Sequence, residues 1–168
     1  MPLWGMEAIE RQLIGLLDDY HPRQLVVLGD LVHDGAARAA AQELMARLSS
    51  RCELIVLAGN HDRQMADAVS MQDAWETGGF LFHHGHCELD APHCVQVIGH
   101  HHPAGTLSDG AGLRLKLPAF VQQGNRWIMP AFSPWAASVP WKADSESRIW
   151  LCTQRRILRL VASGPAAV

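Results

Sequence analysis

Several patterns that would assign this chain of 168 residues to a class of protein are absent from its sequence. No apolar run approaches the roughly 20 residues that a membrane-spanning helix needs. The first residues lack the basic and then apolar plan of a secretion signal, so we expect a cytoplasmic protein with no membrane partner. The four cysteines form no Cys-x-x-Cys pair, which argues against structural zinc of the finger type and favours free thiols.

Positive charge is scarce as well, because the chain has two lysines and 12 arginines against 17 acidic residues. The formal net charge of −3 provides no long-range attraction to DNA or to anionic lipid, so any phosphate backbone must be bound locally. The length and the 48% share of hydrophobic residues are typical of one globular domain. No linker, repeat or low-complexity segment divides the chain, so we expect a single domain over residues 1–168.

Histidine, in contrast, is abundant, with ten in the chain and seven of them between His83 and His102. A scattered histidine is usually a surface or core residue. Seven within 20 residues, interrupted by glycines, favour a metal or catalytic site.

Four short apolar runs are predicted as buried strands, and each is followed by a turn that combines glycine with polar residues. These runs are 25–28, 54–57, 80–82 and 95–98. Helical spacing predicts helices over 5–20 and 36–48 and a weaker one near 65–76, and alternation after residue 103 predicts antiparallel strands. The fold class is therefore α/β. Since ligand sites in such sheets lie beyond the carboxyl ends of the strands, we expect the four strand ends to meet at one rim.

The polar residues at these strand ends are of metal-ligating types. Asp30 offers carboxylate oxygens that can bridge two cations, and Asn60 offers an amide oxygen. His84, His100 and His102 offer imidazole nitrogens. This mixed set of oxygen and nitrogen donors suits Mn²⁺, Fe or Zn²⁺ better than Ca²⁺. The alternative interpretation of Asp30, as a turn or helix-cap residue, explains none of the other strand ends.

Four sequence blocks occur in a fixed order over residues 25–105. They are Gly29-Asp30, Gly59-Asn60-His61-Asp62, His84-Gly85-His86 and Gly99-His100-His101-His102. In order and spacing they resemble the conserved blocks of the calcineurin-like metallophosphoesterases. The resemblance implies a metallophosphoesterase-like αββα sandwich, in which an N-terminal βα half is followed by antiparallel strands.

The resemblance further implies a hydrolase that uses two divalent metal ions, with Mn²⁺ expected first and Fe or Zn²⁺ left open. In such a site Asp30 bridges both metals, and Asn60, His84 and His100 complete one of them. His102 then binds the other metal. A hydroxide held between the two ions would attack the phosphorus atom of a phosphate ester.

The same resemblance assigns catalytic roles to two further residues, His61 and Asp62. His61 would donate a proton to the leaving oxygen, and Asp62 would orient His61. His33 and His86 are candidates for contacts with the phosphate. The alternative for His61 is a plain surface position in a loop.

The later segments 112–120 and 129–132 resemble the DNA-ligase-associated, nuclease-related subgroup of this family. That resemblance implies a phosphodiesterase or nuclease linked to DNA repair, with DNA as a substrate and DNA-repair proteins as partners. A small-molecule phosphatase and a homo-oligomer both remain open.

The Asp-x-His block with which this family begins is missing from its expected place. The one literal match, Asp19-Tyr20-His21, closes a predicted helix just before Pro22, so we reject it as a ligand pair. Two explanations are open: the true start lies upstream of Met1, which we favour, or the block is lost. In both cases residues 1–168 lack the strand with which the family begins. The second metal would then keep two ligands. The alternative function is a degenerate, non-catalytic remnant that binds one metal or a partner protein.

Overall fold

The computed structural model describes residues 3–32, 37–142 and 144–160, without the side chains of residues 3–5. One part of this structure combines two helices with two parallel strands. They are α1 (Leu3–Tyr20), β1 (Gln24–Val27), α2 (Arg38–Ser49) and β2 (Glu53–Val56). The apolar patterns predicted all four elements, and the observed ends differ from the predicted ends by no more than two residues.

The two helices pack on the small sheet through an apolar core. Helical periodicity places their apolar side chains on one stripe, which is buried against the sheet. The buried members of this core are Leu17, Leu44, Met45, Leu48 and Val56. Of the described helices, none combines the length and the hydropathy that crossing a membrane requires.

The remaining strands form a mixed sheet of nine. They are β3 (Ala74–Thr77), β4 (Phe80–His83), β5 (Val95–Ile98), β6 (Pro103–Ser108), β7 (Arg114–Gln123), β8 (Arg126–Ile128), β9 (Val139–Pro140), β10 (Arg148–Cys152) and β11 (Ile157–Leu160). The strand order is β11-β10-β7-β8-β5-β4-β3, and β6 pairs with both β7 and β9. Strands β4, β5 and β8 are parallel, whereas β7, β10 and β11 are antiparallel, as predicted for the second half.

The helix expected near 65–76 is not present in the structure. A short 3-10 helix covers Asp62–Met65, and the segment then ends in strand β3, which pairs with β4. Gly78 and Gly79 join the two strands with φ values of 56° and 82°, the backbone of a two-residue hairpin turn. Trp75 lies opposite Phe82 with ring centroids 5.5 Å apart, and this cross-strand contact outweighs the weak helical periodicity.

The two sheets meet where β1 and β4 end. The Nδ1 atom of His84, directly after β4, lies 2.6 Å from the carbonyl oxygen of Leu28, directly after β1. Among the described strands β1 pairs with β2 alone, and the apolar side chains of β1 are half-buried. The apolar side chains of β1 are thus less buried than the apolar run predicts, and no described strand pairs with the second edge of β1.

Candidate metal centre

Four strand ends come together between the two sheets. Asp30 follows β1, Asn60 follows β2, His84 follows β4 and His100 follows β5. The expected convergence at one rim is therefore present, although the strands belong to two separate sheets. The two sheets are in contact where β1 and β4 end, which brings the four ligand-bearing turns together.

His84 lies at the centre of the cluster, and its side chain is 2% exposed. Because a carbonyl oxygen only accepts, the Nδ1 atom that faces Leu28 carries a proton, so Nε2 presents a lone pair when the ring is neutral. Nε2 lies 3.1 Å from Asn60 Oδ1, 3.1 Å from His100 Nδ1 and 3.4 Å from Asp30 Oδ2. The ligand atoms of Asp30, His84 and His100 all lie within 4.8 Å of one another.

These separations fit a shared cation. Ligand atoms about 2.1 Å from a metal ion lie roughly 3.0 Å apart at octahedral angles and roughly 3.4 Å apart at tetrahedral angles. The three distances from His84 Nε2 span that interval. A carboxylate oxygen, an amide oxygen and a lone pair aimed at one another repel unless a cation or a proton lies between them. The donor set present therefore fits a divalent metal ion.

The backbone at the ligands is held in a conformation that side chains rarely adopt. Asp30, His100 and His102 have φ values of 56°, 59° and 44°, in the left-handed region. Such a residue costs of order 1 kcal/mol and persists where surrounding contacts hold it. Three of them at two strand ends indicate a site whose geometry is fixed by its surroundings.

The charges of the cluster are coupled. Although burial opposes ionisation of Asp30, the hydrogen bonds with His84 and with the His61 amide lower the pKa of Asp30 to about 2. Burial alone would lower the pKa of His84, but its hydrogen bonds with Asp30 and Leu28 and the nearby carboxylates raise it. Burial and the neighbouring His84 lower the pKa of His100, which favours the neutral, ligating imidazole there. Asp30 is thus a permanent anion facing two nitrogen donors.

The other predicted site residues lie around this cluster. His102 is outside the group formed by Asp30, His84 and His100, and its Nδ1 lies 3.2 Å from the carbonyl oxygen of Ala137. His61 is exposed, and its amide donates to Asp30 Oδ1 at 3.1 Å. The exposed His86 has its ring centroid 5.4 Å from that of His84. His33 lies outside the described residues.

Asp62 makes main-chain contacts that the sequence did not predict. Its carboxylate is buried and accepts three main-chain amides, from Asp30 and Leu31 at 2.7 Å each and from Gly59 at 2.9 Å. These bonds hold the two ligand-bearing turns, and the role of orienting His61 stays a prediction. The Leu28 carbonyl could not be predicted as a partner of His84, because a main-chain acceptor leaves no side-chain signal.

Comparison with known proteins identifies the family. The family model for calcineurin-like phosphoesterases matches residues 4–113, well over half of the chain. The chain belongs to this family. It is thus a hydrolase that acts on phosphate esters, and the family's divalent metal ions agree with the cluster of Asp30, His84 and His100.

One solved structure is similar over most of its length. The nuclease MPE from Pseudomonas putida matches with a TM-score of 0.75 and 28% sequence identity. The match covers 92% of this chain and 78% of that protein. Comparison with curated proteins gave no match. The predicted metallophosphoesterase fold and its likeness to a nuclease are confirmed.

Proposed function

We propose that this phosphoesterase hydrolyses phosphodiesters at the centre formed by Asp30, Asn60, His84 and His100. The observation that supports this proposal is the approach of three donor atoms to within 3.4 Å of His84 Nε2. These four residues would hold the cation, with Mn²⁺ as the first expectation. A cation bound there supplies charge stabilisation at the phosphoryl oxygens and a nucleophilic hydroxide at neutral pH.

Asp30 and His102 would be the residues that hold a second cation. The hydrogen bond of His102 Nδ1 to Ala137 leaves its Nε2 as the ligating atom. Since the described residues supply only these two ligands, we expect the second cation to bind more weakly than the first.

The protein atoms that move the proton belong to His61. This residue directly follows Asn60, its amide donates to Asp30, and it is exposed to solvent. From there its imidazole donates a proton to the leaving oxygen of the ester. His86, exposed beside His84, would contact the phosphate.

DNA is the substrate that we favour, because the similar solved structure is that of a nuclease. We extend this proposal to DNA repair and to DNA-repair proteins as partners in the cytoplasm on the strength of the resemblance. With added Mn²⁺, bis-aryl phosphate should be cleaved faster than mono-aryl phosphate, and a supercoiled plasmid should be nicked. Mono-aryl hydrolysis without nicking would identify a small-molecule phosphatase instead.

Replacing His61 with alanine should lower kcat for bis-aryl phosphate by about 10²- to 10⁴-fold, because the leaving oxygen then departs without its proton donor. The content of bound metal should stay unchanged, since the His61 side chain lies outside the ligand cluster. Steady-state kinetics and elemental analysis of the same sample measure both quantities.

The matched control is His93→Ala, which removes an exposed histidine from the loop between β4 and β5. It should keep wild-type kcat and metal content. If His61→Ala and the wild type both show the same residual rate, the chain is a non-catalytic remnant, as the alternative function holds.

A further inference from the structure

One buried carboxylate joins the two turns that carry Asp30 and Asn60. Asp62 is 2% exposed, and its oxygens accept the amides of Asp30, Leu31 and Gly59. The first two donors follow β1 and the third follows β2, so the bonds connect turns about 30 residues apart in sequence. All three distances, between 2.7 and 2.9 Å, are those of charge-assisted hydrogen bonds.

The turn after β1 is bound directly to the Asp62 carboxylate. Gly29 and Asp30 have φ values of 88° and 56°, two consecutive residues in a backbone region that side chains rarely adopt. The two oxygens of Asp62 accept the amides of Asp30 and Leu31, which lie on either side of the Asp30 Cα atom. The direction of the Asp30 carboxylate is thereby set by Asp62.

The turn after β2 is tied to the same point. The amide of Gly59, next to Asn60, donates to the same Asp62 oxygen that accepts the Asp30 amide. A Cβ at Gly59 would overlap the backbone and carboxylate of Asp30 and lie 2.9 Å from Asp62 Oδ2. The close approach of the two turns therefore exists only because Gly59 has no side chain.

We propose that Asp62 is the positioning residue of the metal centre, which sets Asp30 and Asn60 at ligating distance through three main-chain bonds. This role differs from orienting His61, because it acts on cation affinity before any proton is transferred. The proposal rests on the proposed cation site and does not depend on which ester is hydrolysed.

The test compares Asp62→Asn with Asp67→Asn in binding Mn²⁺. The amide of asparagine offers one oxygen in place of two, and its NH₂ group would face main-chain amide donors. The three bonds that hold the two turns together can therefore no longer all form. We expect the Kd for Mn²⁺ to rise about 10- to 100-fold in Asp62→Asn, measured by calorimetric titration of the metal-free folded protein. Asp67, whose side chain is 77% exposed beside Arg38, undergoes the same change of charge and should keep the wild-type Kd.

Two outcomes separate the roles of Asp62. A raised Kd in Asp62→Asn, with kcat largely recovered at saturating Mn²⁺, supports the positioning role. An unchanged Kd overturns the positioning role. A low kcat at saturating Mn²⁺ would then indicate that Asp62 acts by orienting His61. A wild type that binds Mn²⁺ but hydrolyses no ester refutes the proposed function alone, since the Kd comparison still decides the role of Asp62.

Hydrogen exchange keeps the proposal testable if Asp62→Asn does not fold. In the metal-free wild type the amides of Asp30, Leu31 and Gly59 should be protected, although they lie in turns rather than in a strand ladder. Exchange of these amides at the rate of unprotected loops would overturn the proposal. In a folded Asp62→Asn these three amides should lose protection while those of β7 and β10 keep it; an equal loss everywhere would indicate a merely structural role.

Discussion

Asp30→Ala is expected to remove the bound cation and to lower phosphodiester hydrolysis by about 10³-fold or more, the equivalent of several kcal/mol of transition-state stabilisation. The reason is that Asp30 is the one anion among the clustered ligands, with a pKa of about 2 that keeps it charged at neutral pH. Without it, His84 Nε2 faces only neutral donors. Elemental analysis and Mn²⁺-dependent cleavage of bis-aryl phosphate measure the two losses.

A matched control separates this effect from the loss of any aspartate. Asp67→Ala removes an exposed carboxylate that pairs with Arg38 at 3.0 Å and is not a member of the ligand cluster. Its metal content and rate should equal those of the wild type. Retention of a full equivalent of metal by Asp30→Ala would show that the cation site lies elsewhere.

Gly59→Ala is expected to destabilise the protein by at least about 2 kcal/mol, since an overpacked site forces its neighbours to move. The new methyl group would meet the backbone nitrogen and carboxylate of Asp30, and backbone cannot yield as a flexible side chain does. The turns after β1 and β2 would separate, so the metal content should fall as well. Urea unfolding of the metal-free protein gives the first quantity and elemental analysis the second.

A glycine-to-alanine substitution is expected to have the opposite effect on stability at another position of the chain. Gly15 lies exposed within α1 with open space around it, and alanine there should stabilise the protein by about 0.5–1 kcal/mol. Equal urea midpoints for Gly59→Ala and the wild type would mean that the two turns are not in close contact.

Local sequence was sufficient to predict the elements that end at the site. Helical period defined α1 and α2, and short apolar runs followed by glycine defined β1, β2, β4 and β5. The reason is that a strand end and the polar residue after it are neighbours in the chain, so their relation does not depend on the rest of the fold. The grouping of Asp30, His84 and His100 followed from the same rule of strand ends.

Contacts between distant segments were beyond the reach of these patterns. Strand β3 was predicted as helix because its pairing with β4 is decided across a turn, by Gly78, Gly79 and the Trp75–Phe82 contact. The separation of β1 and β2 from β4 and β5 into two sheets likewise depends on pairing partners, which a run of apolar residues does not specify.

The sequence alone thus determined which donor types this protein carries and that they follow strands, because residue chemistry and strand ends are local properties. The tertiary structure alone decided how they are held. It placed His84 Nδ1 on the Leu28 carbonyl, left His102 outside the cluster and directed Asp62 to three amides of two turns. These are hydrogen bonds to main-chain atoms, whose positions depend on the packing of both sheets and are encoded by no single residue type.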